Sequence, residues 1–253
     1  MRGSYQMQSV MPLTPVVKKL IIFTVAVWLI GVVIIQNLFM EGYFVNEWLG
    51  MVPAYVVAKF YIWQPLTYMF VHSSSPFHIV FNMLILWMFG SELERQWGGK
   101  LFLTYYLVTG VGAGLIYSFL VAAYTLLSGN QIMMMTPVVG SSGAGFGLLL
   151  AYGLLFGERV IYFMMLFPMK AKWFVTLLAG IELVSLLGSG GRSGVANLAH
   201  LGGLVSGWAF LIGYSRWKQR KSQKKRKGGA RLKLVVDNEP NFDNKDDGPK
   251  YWN

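Results

Sequence analysis

The chain has 253 residues, of which 55% are hydrophobic and 13% are charged, and its net charge at pH 7 is +11. This composition is outside the range of soluble globular domains and typical of membrane proteins with several spans. The absence of cysteine excludes disulfides, cysteine-ligated metals and cysteine nucleophiles. Eight of the 22 Lys and Arg residues lie within 216–227, so the charge is local and does not indicate a nucleic-acid-binding surface.

The first predicted elements are a polar leader and a membrane span. Residues 1–17 form the leader, and Leu20 to Met40 form an uncharged stretch long enough to cross about 30 Å of hydrocarbon. A signal peptide is the competing interpretation, but its apolar core is shorter, roughly 7 to 15 residues, and a cleavage site with small residues follows it. We therefore predict that this stretch is the first transmembrane helix.

A long connection, residues 41–75, follows the first span and is rich in aromatic side chains. Trp48, Tyr55, Tyr61 and Trp63 are distributed along it. Amphipathic aromatic rings favour the boundary between lipid and water. We therefore expect this connection to lie at the membrane interface.

The rest of the chain predicts five further spans. Residues 101–157 carry no charge but are too long for one helix, and the polar turn at 128–130 divides them into two spans. The five predicted spans are 76–97, 101–127, 141–156, 173–187 and 194–214. The predicted fold class is thus an all-α polytopic membrane protein, with a six-helix domain over 18–215 and a flexible tail over 216–253 that is basic and then acidic.

The distribution of positive charge predicts the orientation in the membrane. If both termini are cytoplasmic, the outer loops contain only Lys59 and Arg192, and all other Lys and Arg residues are on the inner side. This orientation requires an even number of spans, which six satisfies. It also places the basic tail where it can attract anionic lipid.

Three polar residues share one depth in this arrangement. His78, Ser142 and His200 each lie in the first two turns of a span that enters from the outer side, about 3 to 10 Å below the interface. Asn82 follows His78 by four residues, so both project from one helix face. Independent placement of polar groups at one depth favours a common site.

Two GxxxG patterns predict that the fourth and sixth spans approach each other closely. The glycines concerned are Gly143, Gly147, Gly203 and Gly207. Close approach would bring Ser142 and His200 within hydrogen-bonding distance, where a neutral imidazole can activate a serine hydroxyl. A Ser-His-Asp triad is excluded within the membrane because the first aspartate is Asp237, in the tail, so a serine hydrolase here would use a dyad.

Each of these features also has a structural interpretation. Glycine and serine allow helices to pack in lipid, and buried histidine or asparagine can join helices by hydrogen bonds. Glu182, in the middle of the fifth span, could be protonated, face a neighbouring helix or border a gap for substrate access. The glycine-rich loop 188–194 is either a mobile cap over the site or an ordinary tight loop.

Four motifs in chain order resemble those of the rhomboid family of intramembrane serine proteases. They are HIVFNM from His78, GSELERQWG from Gly90, GSSGAGFG from Gly140 and AHLGGLVSG from Ala199. The resemblance covers about residues 15–215. One departure is Gln64, which follows Trp63 where many members have arginine.

The resemblance implies a role for each site residue. Ser142 would be the nucleophile and His200 its base, while His78, Asn82 and the Ser142 backbone N–H would form the oxyanion hole. Phe146 would pack under the imidazole, where the family often has tyrosine. The supporting glycines would be Gly140, Gly143, Gly203 and Gly207.

The implied function is a serine endopeptidase that hydrolyses peptide bonds in or next to transmembrane segments of other membrane proteins, without a cofactor or a metal. The implied location is the bacterial inner membrane, with both termini cytoplasmic and the active site open to the outer side. One alternative is a proteolytically silent relative that binds membrane proteins for transport or quality control. Another is a transporter or metal-binding channel using His72, His78 and His200, but no carboxylate is near them in sequence.

Overall fold

The computed structural model describes residues 13–40, 42–163, 167–188 and 194–227. In chain order, its helices are α1 (Pro15–Phe39), α2 (Phe44–Leu49), α3 (Pro53–Ala58), α4 (Gln64–Thr67), α5 (Pro76–Trp97), α6 (Gly99–Ser128), α7 (Ile132–Met135), α8 (Ser142–Leu155), α9 (Ala171–Gly188) and α10 (Gly194–Lys227). Strands β1 (Val160–Phe163) and β2 (Phe167–Lys170) form an antiparallel hairpin between α8 and α9. Two helices contain wider π-helical segments, Val27–Phe39 in α1 and Leu86–Gly90 in α5.

Five of the described helices are long and apolar enough to cross a membrane, namely α1, α5, α6, α9 and, over Ala196–Gln223, α10. The predicted fourth span corresponds to α8, which has 14 residues and is shorter than the others. At 1.5 Å per residue it reaches only about 21 Å. Its residues from Gly143 to Leu149 are all buried, so the N-terminal half of α8 is covered by protein. The predicted number of six spans stays a prediction.

The first helix begins earlier than predicted, at Pro15 instead of Leu20. The reason lies at the end of α5, where the carboxylate of Glu94 accepts hydrogen bonds from the backbone N–H groups of Val16 and Val17 at 3.0 and 2.9 Å. The first N–H groups of a helix have no partner within the helix, and a carboxylate there also complements the helix dipole. A residue distant in sequence thus fixes where α1 starts.

The interior is built around α6 and α8. Fully buried tyrosines join neighbouring helices, because each ring fills apolar space while its hydroxyl reaches a backbone carbonyl. Tyr105 donates to the Gly147 carbonyl at 2.7 Å, and Tyr68 donates to the Gly110 carbonyl at 2.6 Å. These bonds fix α8 and the end of α4 against α6.

The connection after α1 contains three short helices and an aromatic cluster, in which Tyr61 stacks on Trp63 with ring centroids 4.5 Å apart. Gln64, the departure from the family motif, is fully buried. It accepts a hydrogen bond from Val52 N at 3.0 Å and donates one to the Glu47 carbonyl at 2.8 Å. Gln64 therefore anchors this connection.

The contact pattern divides the chain into a unit that ends at Tyr214 and a second that begins at Ser215. Helix α10 continues through Lys227, so residues 216–227, predicted as the start of a flexible tail, are helical. The helix dipole favours basic residues near a C-terminal end, such as those in this stretch. Residues 228–253 and the centre of the predicted cap loop, 189–193, are outside the described residues.

Candidate active site

Ser142 is the first residue of α8, and a sharp turn at Gly140 leads into it. Gly140 has φ of +115°, a conformation that favours glycine. A Cβ atom at this position would also lie 2.8 Å from His78 Nε2. Backbone strain and contact with His78 therefore both require glycine before the two serines.

The hydroxyl of Ser142 and the imidazole of His200 are in direct contact, with Oγ and Nε2 2.8 Å apart. The glycines bring α8 and α10 close enough for this. A Cβ atom at Gly203 would be 2.0 Å from the Gly143 carbonyl oxygen, and one at Gly207 would be 3.2 Å from Gly147 Cα. The structure therefore brings together the two residues that the spacing predicted as neighbours.

Phe146 lies one turn after Ser142 and stacks on the His200 ring. The ring centroids are 4.4 Å apart and the planes differ by 17°. The aromatic face covers one side of the imidazole while the ring edge stays in contact with Ser142. The stacking thus limits rotation of the imidazole.

The hydrogen bonds of His78 assign its tautomer. Its Nδ1 accepts from the Ser73 backbone N–H at 3.2 Å, and Ser73 Oγ is 3.0 Å away. A backbone N–H can only donate, so Nδ1 carries no proton and the neutral ring is protonated at Nε2. This Nε2–H lies beside Gly140, at the entrance to the Ser142 turn.

Asn82 is buried next to the two serines. Its Nδ2 donates to the His78 carbonyl at 2.8 Å, and its Oδ1 accepts from Ser141 Oγ at 3.2 Å. An amide nitrogen has two N–H groups, so Nδ2 has a second N–H beyond the one bonded to His78. His78 and Asn82 thus both lie near Ser142, although the structure contains no substrate oxygen to define their target.

His72, which the sequence analysis named only in the transporter or metal-channel alternative, also belongs to this cluster. It is fully buried, and its ring centroid is 5.1 Å from that of His78. Burial, and to a smaller extent the neighbouring His78, lower the pKa of His72 to about 3. Its neutral Nε2 is 3.5 Å from the Ser141 backbone N–H, which helps to hold the turn before α8.

Glu182 is the residue that sequence reasoning left without a role. Its Oε2 is 3.0 Å from His200 Nδ1 and accepts a hydrogen bond from Asn197 Nδ2 at 2.6 Å. Of the three interpretations of Glu182, the structure matches the one in which it faces a neighbouring helix. The spacing of Asn197 and His200, three residues apart on one helix face, was the available signal.

The described residues contain no group of three or more His, Asp or Glu side chains that could hold a metal ion. The transporter or metal-channel alternative therefore gains no support from this part of the chain. The chemistry that the cluster can perform is attack by a serine hydroxyl with an imidazole as base.

Comparison with known proteins identifies the family. The family model for the rhomboid domain matches residues 59–217, which is more than half of the chain. The chain belongs to the rhomboid family. With its apolar helices, this makes it an integral membrane protein of a family that includes named proteases.

Its relatives include bacterial and plant proteins. RHOMBOID-like protein 1 of Arabidopsis thaliana is 32% identical over 160 residues, covering 63% of this chain and 36% of the relative. Rhomboid protease GluP of Bacillus subtilis is 31% identical over 148 residues, covering 58% and 25%. Rhomboid protease AarA of Providencia stuartii is 29% identical over 160 residues, covering 60% and 56%. The chain thus spans between a quarter and just over half of the length of these relatives.

Proposed function

We propose that this rhomboid-family chain is a serine endopeptidase that hydrolyses peptide bonds in or next to transmembrane segments of other membrane proteins. The observation that supports this most directly is the 2.8 Å contact between Ser142 Oγ and His200 Nε2. Two relatives are named rhomboid proteases, which supports the same reaction class.

In the proposed reaction, Ser142 Oγ attacks the carbonyl carbon of the scissile bond while its proton moves to His200 Nε2. The C–N bond then breaks, and the leaving amine takes the proton from His200. Water, activated by the same imidazole, hydrolyses the acyl-enzyme and restores Ser142. A single base therefore serves both halves of the cycle.

The negative charge on the carbonyl oxygen needs hydrogen-bond donors. The assigned tautomer gives His78 an Nε2–H, and Asn82 has a second Nδ2–H. We assign these two groups and the Ser142 backbone N–H to the oxyanion hole. None of them needs to change its protonation state to act as a donor.

The substrate must unwind locally, because the carbonyl groups of a helical peptide are hydrogen-bonded and covered by side chains. The resemblance to the rhomboid family also implies small residues at the cleaved bond and helix-weakening residues after it. Cleavage assays with reporter segments that differ only in helix propensity would test this. Equal cleavage of weak and strong helices would contradict it.

The proposed location is the bacterial inner membrane, with both termini cytoplasmic and the active site open to the outer side. The charge distribution supports this orientation. Because the chain has no cysteine, a single cysteine at Ser74 would report its side of the membrane through a membrane-impermeant thiol reagent. Labelling only after the membrane is permeabilised would overturn the orientation.

Binding of the basic stretch 216–227 to anionic lipid is proposed as well, and vesicles with and without anionic lipid would test it.

The alternative function, a silent relative that binds membrane proteins, is not favoured. Such relatives typically lack the serine or the histidine, and this chain has both in contact. Lack of reaction of Ser142 with a mechanism-based serine reagent would reverse this preference.

The decisive experiment is cleavage of a reporter transmembrane substrate together with labelling by a fluorophosphonate. We expect Ser142→Ala and His200→Ala each to abolish cleavage and labelling, and the double variant to be little worse, because nucleophile and base act as a unit. Additive losses would contradict a catalytic pair. Ser141→Ala is the positional control, and it should stay active although it loses the hydrogen bond to Asn82. Loss of activity in Ser141→Ala with an active Ser142→Ala would move the nucleophile by one residue.

A further inference from the structure

The contact between α9 and α10 near the serine is made by polar side chains. Glu182 projects from α9, and its Oε2 lies 3.0 Å from His200 Nδ1. The same oxygen accepts from Asn197 Nδ2 at 2.6 Å, and Asn197 precedes His200 by three residues on α10. The carboxylate is therefore placed at the ring nitrogen opposite the one that faces Ser142.

This carboxylate is largely covered by protein. Its side chain is 15% exposed and that of His200 is 17% exposed. Among the described residues, no Lys or Arg forms an ion pair with Glu182, and His200 is the basic group at ion-pair distance. A carboxylate within a membrane span is costly without a partner, so its position against an imidazole indicates a functional role.

From this geometry we propose that Glu182 is a positioning residue for His200, so that the catalytic pair has a third member contributed by α9. This inference rests on the proposed function, because it assigns a role in the same reaction. Glu182 holds the proton of His200 on Nδ1, which leaves the Nε2 lone pair for the Ser142 hydroxyl. As the Ser142 O–H bond breaks and the new N–H bond forms at Nε2, the imidazolium develops its positive charge beside the carboxylate.

The alignment of the pair in this structure does not exclude such a role. The two atoms are close enough to bond, but in the described part of the chain His200 Nδ1 has no hydrogen-bond partner with good geometry. Catalytic hydrogen bonds are often poorly aligned before substrate binds and shorten in the reacting complex. Asn197 meanwhile holds the carboxylate oxygen in place.

Polar groups from two other helices contact His200: Ser142 from α8 and Glu182 from α9. The imidazole of His78, on α5, is close enough to interact with His200 electrostatically. Of these, only Glu182 can carry a negative charge at neutral pH. The sequence predicted a Ser142–His200 dyad because no aspartate is available in the membrane domain. In the proposal, a glutamate takes the place beside the histidine that an aspartate has in a Ser-His-Asp triad.

The kinetic test uses two substitutions of different severity. Glu182→Gln keeps the shape and an acceptor oxygen but removes the negative charge. Glu182→Leu removes the acceptor oxygen as well as the charge. We expect kcat to fall in the order wild type, Gln, Leu, by about tenfold to a hundredfold for Leu, with little change in KM. The matched control is Ser185→Leu, which places the same new side chain on an exposed position of α9. A kcat of both Glu182 variants within twofold of wild type, or a loss that appears in KM alone, would overturn the proposal.

A spectroscopic test does not depend on activity. The chain has three histidines, so 15N-histidine labelling gives three rings, and His200→Ala identifies the signals of His200. We expect the Nδ1–H tautomer of His200 in the wild type and a shift toward Nε2–H in Glu182→Leu, with no shift in Ser185→Leu. An unchanged His200 tautomer in Glu182→Leu would overturn the proposal.

The two tests separate this inference from the proposed function. If the wild type cleaves and Ser142→Ala does not, but the Glu182 variants behave as wild type, only the positioning role fails. If the wild type neither cleaves nor labels, the proposed function fails, and the tautomer measurement alone decides whether Glu182 orients His200. Thermal melting of each variant shows whether it is folded.

Discussion

The ring of Phe146 lies nearly parallel to the imidazole of His200, with their centroids 4.4 Å apart. The two rings come from helices far apart in sequence, and the glycines between α8 and α10 allow them to stack. The aromatic ring covers one face of the imidazole and thereby restricts rotation of the His200 side chain. Orientation of the base thus depends on a side chain that takes no part in proton transfer.

Replacement of this ring should weaken catalysis without abolishing it. We expect Phe146→Leu to lower kcat by roughly two- to tenfold, because an aromatic pair contributes about 0.5–1.5 kcal/mol beyond burial of its area. Phe146→Tyr keeps the ring and should retain most of the activity. Turnover of a reporter substrate measures both variants, and a Leu variant as fast as wild type would show that the stacking has no catalytic effect.

The oxyanion assignment predicts an effect on turnover more than on binding. His78→Ala and Asn82→Ala should each lower kcat by about 10²-fold with little change in KM, because oxyanion donors act mainly in the transition state. Ser73→Ala is the matched control. It removes a hydroxyl beside His78 but keeps the backbone N–H that sets the tautomer of His78. The decrease in kcat for Ser73→Ala should therefore be much smaller. Parallel changes in kcat and KM would instead indicate that His78 and Asn82 only join helices.

The close approach of α8 and α10 predicts opposite outcomes for one chemical change at two sites of α10. Gly203→Ala places a Cβ 2.0 Å from the Gly143 carbonyl oxygen, whereas a Cβ at Gly213 meets nothing within 4 Å. We expect Gly203→Ala to destabilise the protein by about 1–3 kcal/mol and to separate His200 from Ser142. Gly213→Ala should be neutral or stabilising by up to about 1 kcal/mol. Titration with a denaturing detergent, combined with the cleavage assay, compares them, and equal stability of the two variants would refute the close contact.

The loop after α8 predicts a pH dependence. Hydrogen bonds from Lys170 and then Lys172 hold the pKa of Glu158 at about 2, below its ordinary 4.5. A carboxyl with a lowered pKa in the folded state adds stability that is complete above pH 4.5 and is lost as the pH falls toward 2. The melting-temperature difference between wild type and Glu158→Gln should therefore be constant above pH 4.5 and disappear near pH 2.

This effect should be small, because Glu158 is exposed and salt screens exposed ion pairs. Added salt at pH 7 should therefore reduce the same difference. A difference that persists at pH 2 would assign the effect to packing instead of charge.

The parts of the fold that followed from the sequence are those set by local signals. The second span, predicted over 76–97, coincides with α5 because Pro76 suits the first turn of a helix and Gly98, with φ of +78°, ends it. The start of α1 did not follow, because Glu94 accepts its first N–H groups from a position remote in sequence. The β1–β2 hairpin was also missed, because its short strands show little alternation of apolar and polar residues.

In the candidate site, too, some features followed from local sequence signals and others depended on contacts between helices. Helix periodicity and glycine spacing predicted that Ser142 and His200 would meet, and their side chains lie 2.8 Å apart. His78 and Asn82 lie against the neighbouring Gly140 and Ser141. The position of Glu182 could not be predicted, because it depends on how α9 is rotated against α10. That rotation is decided by packing between the two helices.

The carboxylate of Glu94 has a consequence for synthesis of the chain. It accepts hydrogen bonds from the first turn of α1 but belongs to the end of α5. The ribosome therefore makes α1 well before it makes Glu94, the partner of the first N–H groups of α1. Until α5 has been inserted, the amide groups at Val16 and Val17 must bond to water or lipid headgroups. We expect α1 to remain adjustable in depth during this interval and to be fixed only when the two ends meet, so that the second insertion event sets the final position of the first.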